Sequence, residues 1–249
     1  MRDGDDLAEA VENDLSLKAF AGEEDSEVDD DDVDSGSDED SPWIAWFLSL
    51  RGNEFFCAVD EDFIQDDFNL TGLGALVPFY DFARDMILDV ERADEQALTD
   101  EQQELIESAA EMLYGLIHAR YITTNRGLRA MHAKYAAASF GRCPRACCGG
   151  QAALPLGRAD APRGAKVHVF CPRCQDLFVP RSSRAATLDG AYFGSTFANV
   201  FLLAFPDLVP APASQAFVPR IYGFRIHKTS PFHHAKRSQK PSRTASPRA

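Results

Sequence analysis

Five of the six cysteines fall in two tight groups. Cys143, Cys147 and Cys148 form one, and Cys171 and Cys174, within Cys-Pro-Arg-Cys, form the other; 22 residues separate Cys148 from Cys171. Two close cysteine pairs at such a separation suit a tetrahedral four-sulfur zinc site, each knuckle donating two thiolates. Zn2+ is borderline-soft, and its filled d shell imposes no geometry of its own. Four protein ligands leave no position open for water, so such a zinc is structural rather than catalytic. Spacing does not decide whether Cys143 partners Cys147 or Cys148, because both separations lie within the permitted range. Unliganded or disulfide-bonded cysteines are the bland alternative, disfavoured by the compartment argued below. Cys57 stands alone among aromatics and reads as a small buried hydrophobe.

No second constellation carries chemistry. The chain has no Gly-rich phosphate loop, no His-Glu-x-x-His, no Gly-x-Ser-x-Gly and no protein-kinase signature. The six histidines are scattered. His118 falls inside a helical stretch and reads as a satisfied or exposed helix residue, and His233 and His234 belong to the C-terminal tail. With no acid, base or nucleophile set, the expectation is a protein that is not an enzyme. Ser26, Ser35 and Ser37 each have an acid at the third following position (Asp29, Asp38 and Asp40). Such serines suit an acid-directed kinase, whose basic pocket would pair with those carboxylates; an acidic tail with incidental serines is the competing reading.

The net charge of −14 is unevenly placed. Residues 1–42 hold 18 of the 39 acids against only Arg2 and Lys18, leaving them at −16 and the rest of the chain at +2. Like charges repel, and the segment Glu23 to Asp40 has almost nothing apolar to bury, so residues 1–42 are expected to be a disordered acidic arm. After Ile226 bases occur with no acid, and residues 228–249 are expected to be a disordered basic tail. The N-terminus lacks a basic segment followed by an apolar one, and no apolar run approaches membrane-spanning length. The expectation is an intracellular protein without membrane contact.

The elements that hold the cysteines begin at Trp43. Trp43, Trp46, Phe47, Phe55 and Phe56 open an aromatic segment. Phe63, Ile64 and Phe68 fit a short helix, Asn69–Gly74 a break, and Phe79, Phe82, Met86, Ile87 and Val90 recur at helical spacing. Thr99 with Gln102 resembles a capping box. Behind it Leu105, Ile106, Ala109, Met112, Leu113, Leu116 and Ile117 form one apolar stripe on a helix expected to end near Asn125–Gly127. Leu128, Met131 and Tyr135 suggest another. At Phe140 the character changes to dense Gly, Pro and Cys, with Val167, Val169 and Phe170 reading as strand. The expected fold is α+β: a helical domain over 43–139, a small β domain over 140–180 and a C-terminal segment over 181–227.

Long contiguous stretches resemble the regulatory (beta) subunit of casein kinase II. They are WIAWF from Trp43, LRGNEFFCAVDEDFIQDDFNLTGL from Leu50, DMILD from Asp85, AAEMLYGLIHARYI from Ala109 and TNRG from Thr124. Then follow FGRCPRACC from Phe140, FCPRCQD from Phe170, SSR from Ser182, DGAYFG from Asp189 and FVPRIYGFRIH from Phe217. The resemblance implies that the β domain is a zinc ribbon holding one structural Zn2+. The family pattern has four residues between its first two ligand cysteines. It selects Cys143, Cys148, Cys171 and Cys174 and leaves Cys147 spare. It further implies a homodimer joined through the ribbons, with Pro144 and Leu177 at the matching apolar positions. Two catalytic (alpha) subunits would attach, docked on Val200, Ile221, Tyr222 and Phe224 of an extended C-terminal segment. The implied role is to assemble and stabilise the kinase tetramer and to bias its activity toward particular protein substrates, in cytoplasm and nucleus, with no direct nucleic-acid binding. Two departures stand out. A long acidic arm replaces the family's few residues before its first tryptophan, and the acidic loop expected at Asp89–Asp100 is thinned by Arg92, Ala93, Gln96, Ala97 and Leu98. The rival reading is a nucleic-acid-binding zinc-ribbon protein, using Arg142, Arg145, Arg173 and the basic tail. Against it, the folded part is near neutral and an acidic arm competes with phosphates.

Overall fold

The computed structural model describes residues 41–91, 98–212, 218, 220–227 and 230. The acidic arm with Ser26, Ser35 and Ser37, the centre of the thinned acidic loop and all of the basic tail but Ser230 lie outside them.

Pro42 is followed by helix α1, Trp43–Ser49. The first N–H groups of a helix have no intrahelical acceptor. Here the Asp89 carboxylate supplies one, taking the Trp43 N–H at 3.0 Å. A short helix α2 covers Glu61–Gln65, and α3 covers Asp67–Leu70. Asp66 separates them, its carboxylate accepting the Phe68 N–H at 3.0 Å. The reading of Phe63, Ile64 and Phe68 as one stripe assumed a continuous helix. The break at Asp66 resets the phase, and Phe68 is left 84% exposed.

Helix α4 is Tyr80–Ile87 and α5 is Asp100–Tyr121. The capping box is formed: Gln102 N–H donates to Thr99 Oγ1 at 3.3 Å and Thr99 N–H to Gln102 Oε1 at 3.0 Å. Helix α5 stops a few residues earlier than its pattern suggests. Thr123 and Thr124 turn their hydroxyls back onto the Arg120 and Tyr121 carbonyls at 2.7 Å, and Thr124 Oγ1 then accepts the Gly127 N–H, opening α6, Asn125–Ala136. Threonines compete for backbone groups in this way and favour caps over helix interiors. The buried face of α5 runs through Ile106, Ala109, Ala110, Leu113, Tyr114, Ile117, His118 and Tyr121. Leu105, expected on that stripe, is exposed. One flank packs on α4, the other on the turn Gly190–Tyr192. The second contact needs Gly115, where a Cβ would lie 2.4 Å from the Tyr192 ring.

Beyond Phe140 come three short strands, β1 Leu154–Leu156, β2 His168–Cys171 and β3 Asp176–Phe178, in one antiparallel sheet of order β1-β2-β3. Leu154 pairs with Phe170 and Cys171 with Asp176. Helix α7, Phe197–Ala204, packs on β1. A two-stranded hairpin, β4 Arg220–Ile221 and β5 Phe224–Arg225, follows.

Among the described residues the main core is a single large cluster, with a small second one around Cys143, Cys148 and Cys171. The large cluster joins Phe47, Phe56, Leu113 and Tyr114 of the helical layer to Leu154 and Val169 of the sheet, to Val167 just before β2, and to Ala185, Phe193, Phe197 and Phe201. Rings carry it across: Phe47 meets Tyr114 at 5.0 Å, Phe56 meets Phe193 at 5.3 Å, and Phe55 meets Phe140 edge-on at 5.6 Å. Much of the C-terminal region is therefore core rather than an extended segment. Phe197 and Phe201, four apart on one face of α7, are fully buried.

Candidate metal centre and docking hairpin

The cysteine site is built where two loops face each other across the sheet end. Cys143 enters it after the core ring Phe140, and its N–H donates to Gln151 O at 2.8 Å. Cys148 closes a short 3-10 turn, Ala146–Cys148. Cys171 ends β2, and Cys174 precedes β3. Both loops turn through left-handed backbone just after their second cysteine, at Gly149 (φ 57°) and Gln175 (φ 55°).

This geometry brings four sulfurs together. The Sγ atoms of Cys143, Cys148, Cys171 and Cys174 lie within 4.8 Å of one another, with Cys143 and Cys174 3.8 Å apart. Four thiolates about 2.3 Å from one Zn2+ stand at tetrahedron corners about 3.8 Å apart, so the cluster fits that ion. Cys147 is exposed and outside the cluster. Cys148, not Cys147, thus faces the other knuckle.

Burial opposes ionisation at Cys143 and Cys148. Burial pushes Cys148 far up and Cys143 to about 11. At Cys174 burial acts the same way, but hydrogen bonds from the Cys171 and Cys148 thiols and the Asp176 N–H outweigh it and hold that thiol below its ordinary value. Four thiolates packed this closely would repel one another strongly. A divalent cation would remove the repulsion and deprotonate the remaining ligands.

The arginines named above as a possible nucleic-acid surface make contacts within and between the two cysteine loops. Arg145 pairs with Asp176 at 2.7 Å and lies over the Phe178 ring at 5.3 Å, tying one knuckle to β3. Arg173 Nη1 donates to Cys148 O and Arg142 Nη1 to Gly150 O, each at 3.0 Å. Sequence reasoning missed this tying role; the signal for it was one arginine inside each Cys-x-x-type loop.

Pro144 is exposed and Leu177 is 39% exposed. Neither packs into the core. Val179, not singled out in the sequence, is 67% exposed nearby on the chain.

The hairpin turns at Tyr222 and Gly223, with φ 48° and 84°. Positive φ at both central residues is the type I′ pattern, whose twist matches that of the flanking strands. Arg220 Nη1 braces it on Gly223 O at 2.9 Å. Tyr222 is 97% exposed, Phe224 79% and Ile221 58%. Neither ring belongs to the chain's own core. Val200 is half-buried on α7 against the core. His118 is fully buried: Cys57 N–H donates to its Nε2 at 3.2 Å and its Nδ1 meets Tyr192 O at 2.9 Å. Among the described residues no helix is long and apolar enough to cross a membrane.

Comparison with known proteins places this geometry. A family described as casein kinase II regulatory subunit matches residues 42–225. Casein kinase II subunit beta-3 of Arabidopsis thaliana is 52% identical over 215 residues, covering 86% of this chain and 78% of that protein. Casein kinase II subunit beta of Dictyostelium discoideum is 50% identical over 200 residues, covering 80% and 74%. Casein kinase II subunit beta′ of Drosophila melanogaster is 50% identical over 192 residues, covering 77% and 87%.

Proposed function

The chain belongs to the casein kinase II regulatory subunit family, whose members are the kinase's non-catalytic subunits, and from this premise we propose how it works. It holds one structural Zn2+ on Cys143, Cys148, Cys171 and Cys174. That ion closes a zinc ribbon over residues 140–180, between a helical domain over 43–139 and the C-terminal segment over 181–227. Two copies join through the ribbons at Pro144 and Leu177. Each copy then receives one catalytic subunit on Ile221, Tyr222 and Phe224, with Val200 beside them. The resulting tetramer is stabilised and its choice of protein substrates is biased, in cytoplasm and nucleus. Ser26, Ser35 and Ser37 are substrates of the attached kinase; phosphopeptides from the co-purified complex would establish them, and uniformly unmodified peptide would refute them.

The observation that carries this reading is the pairing of a buried four-cysteine cluster with a hairpin that presents two aromatic rings to solvent. Aromatic side chains left in water at a braced turn cost solvation and gain nothing within the monomer. They become anchors when a partner supplies a dry pocket. Light scattering of the purified chain, alone and with the catalytic subunit, tests the scheme. A dimer that takes up two catalytic subunits is expected. A monomer that retains nuclease-sensitive material instead of kinase would overturn it in favour of nucleic-acid binding.

A further inference from the structure

One basic cleft takes no part in the metal centre or the docking hairpin. Arg51, in the turn after α1, and Arg184, at the start of the 3-10 turn Ala185–Thr187, line an open cleft of about 400 Å³ with Asn53, Ser183 and Leu188. The two arginines lie far apart in sequence. Gly52 brings them together: a Cβ there would sit 3.0 Å from Arg184 Cβ. Both arginines and Ser183 are exposed. Among the described residues, neither guanidinium has a carboxylate within ion-pair distance.

The neighbouring charges reinforce the sign. Lys166 Nζ is anchored on Thr187 O at 2.6 Å, and Lys134 Nζ on Glu54 O at 3.0 Å. The Glu54 carboxylate stands beside the cleft, but it accepts the Gly52 N–H at 2.9 Å and so is held to the backbone. Asn53 is fixed by its own amide on Phe47 O at 2.9 Å. Leu188, half-buried, gives the cleft an apolar wall.

We infer that the cleft between Arg51 and Arg184 binds a phosphoserine or phosphothreonine carried on an acidic protein segment. Two forked guanidiniums and a hydroxyl match the three acceptor oxygens and near-double charge of a phosphate monoester; a single carboxylate would leave one fork unused. An open cleft admits a side chain on a passing peptide, whereas an enclosed pocket would suit a free metabolite. Nucleic acid is a poorer fit, because it calls for an extended basic track, and the rest of this chain beyond the arm carries only about +2. The inference rests on the proposed function for its meaning: a kinase partner that favours acidic contexts produces such phosphorylated segments, and a regulatory subunit that retains them would favour substrates already phosphorylated once.

The test uses the full chain and fluorescence anisotropy. The probe is a labelled peptide with one phosphoserine among aspartates, compared with its unphosphorylated form, a labelled single-stranded oligonucleotide and unlabelled inorganic phosphate as competitor. The phosphopeptide should bind at least tenfold more tightly than its serine form. Arg51→Ala and Arg184→Ala should each weaken it at least tenfold, while Arg51→Lys and Arg184→Lys recover part of the loss. Equal affinity for both peptides, or variants that bind like wild type, would overturn the inference. So would an oligonucleotide that binds more tightly, or inorganic phosphate that competes at the peptide's own concentration. Both arginines are exposed, so variants should keep their zinc content and their capture of the catalytic subunit. Wild type that captures the catalytic subunit but not the phosphopeptide sinks this inference alone; wild type that captures neither sinks the function as well.

Discussion

One buried histidine has its protonation state set by the fold, with a measurable consequence. His118 lies fully buried between Phe56 and Phe193, and burial lowers its pKa from 6.5 to about 4, against the pull of its hydrogen bond to Tyr192 O. A neutral ring suits both partners: Nδ1–H donates to Tyr192 O while Nε2 accepts from Cys57 N–H. In the unfolded chain the imidazole takes a proton at about 6.5. The unfolded state therefore binds more protons between about 4 and 6.5, so the stabilisation is complete above 6.5 and is lost as pH falls toward 4. The loss is about 3 kcal/mol. Denaturant unfolding across that range should show the decline, and His118→Gln should flatten it by up to about 1.4 kcal/mol per pH unit; an unchanged slope would mean that other groups cause it. Among the cysteines, Cys148→Ser should abolish bound zinc, whereas Cys147→Ser should retain it, read by a chromophoric chelator after unfolding. Zinc lost from the Cys147 variant alone would reverse the ligand assignment.

At the level of the element, the hairpin is the part whose sequence works against its own burial. A type I′ turn with a bulky Tyr222 in left-handed backbone is a strained choice that other residues would satisfy more cheaply. The strain is tolerable if the ring is what the turn exists to present. Tyr222→Ala or Phe224→Ala should weaken binding of the catalytic subunit by about 2 kcal/mol, or roughly thirtyfold. Because both rings are exposed, the melting temperature and zinc content should stay within error of wild type. Titration calorimetry decides the first point and calorimetric unfolding the second. Unaltered affinity would leave the hairpin without its proposed role.

Considered whole, the proposed scheme couples metal binding to assembly. The sheet that carries Cys171 is only three short strands, and Leu177 on β3, with Pro144 and Val179 outside the strands, faces solvent in a single chain. So small a sheet, with apolar surface uncovered, gains by packing on a second copy. Metal binding should be coupled to the order of the knuckles, because the ligands form a site only when the loops are folded. A strong chelator, or Cys171→Ser, should therefore convert dimer to monomer and abolish the tetramer. The helical layer should keep most of its far-ultraviolet dichroism, since its core residues Phe47, Phe56, Leu113 and Tyr114 cluster apart from Cys143, Cys148 and Cys171. Sedimentation of metal-free protein reads the result; a persisting dimer would place the interface elsewhere.

Local chemistry made much of this legible in advance. The cysteine pairs, the Thr99–Gln102 capping box, the helical stretch behind it and the strand at Val169 and Phe170 depend on neighbours a few residues away, and short-range rules reach that far. The long contiguous stretches were enough to suggest the family. What only the tertiary structure decided involves phase or distance. Asp66 breaks a helix that the apolar pattern runs through, turning Phe68 outward, and Thr123 and Thr124 end α5 a few residues before its pattern suggests. Cys148 rather than Cys147 faces Cys171 because the 3-10 turn places one inward and the next outward. Phe197 and Phe201 are core only because β1 lies beneath them. Arg145 and Arg173 brace the knuckles because carboxylate and carbonyl acceptors from the facing loop come within reach. Arg51 and Arg184 meet across Gly52, a proximity that no sequence period encodes, since it arises from packing between segments that the chain brings together only on folding.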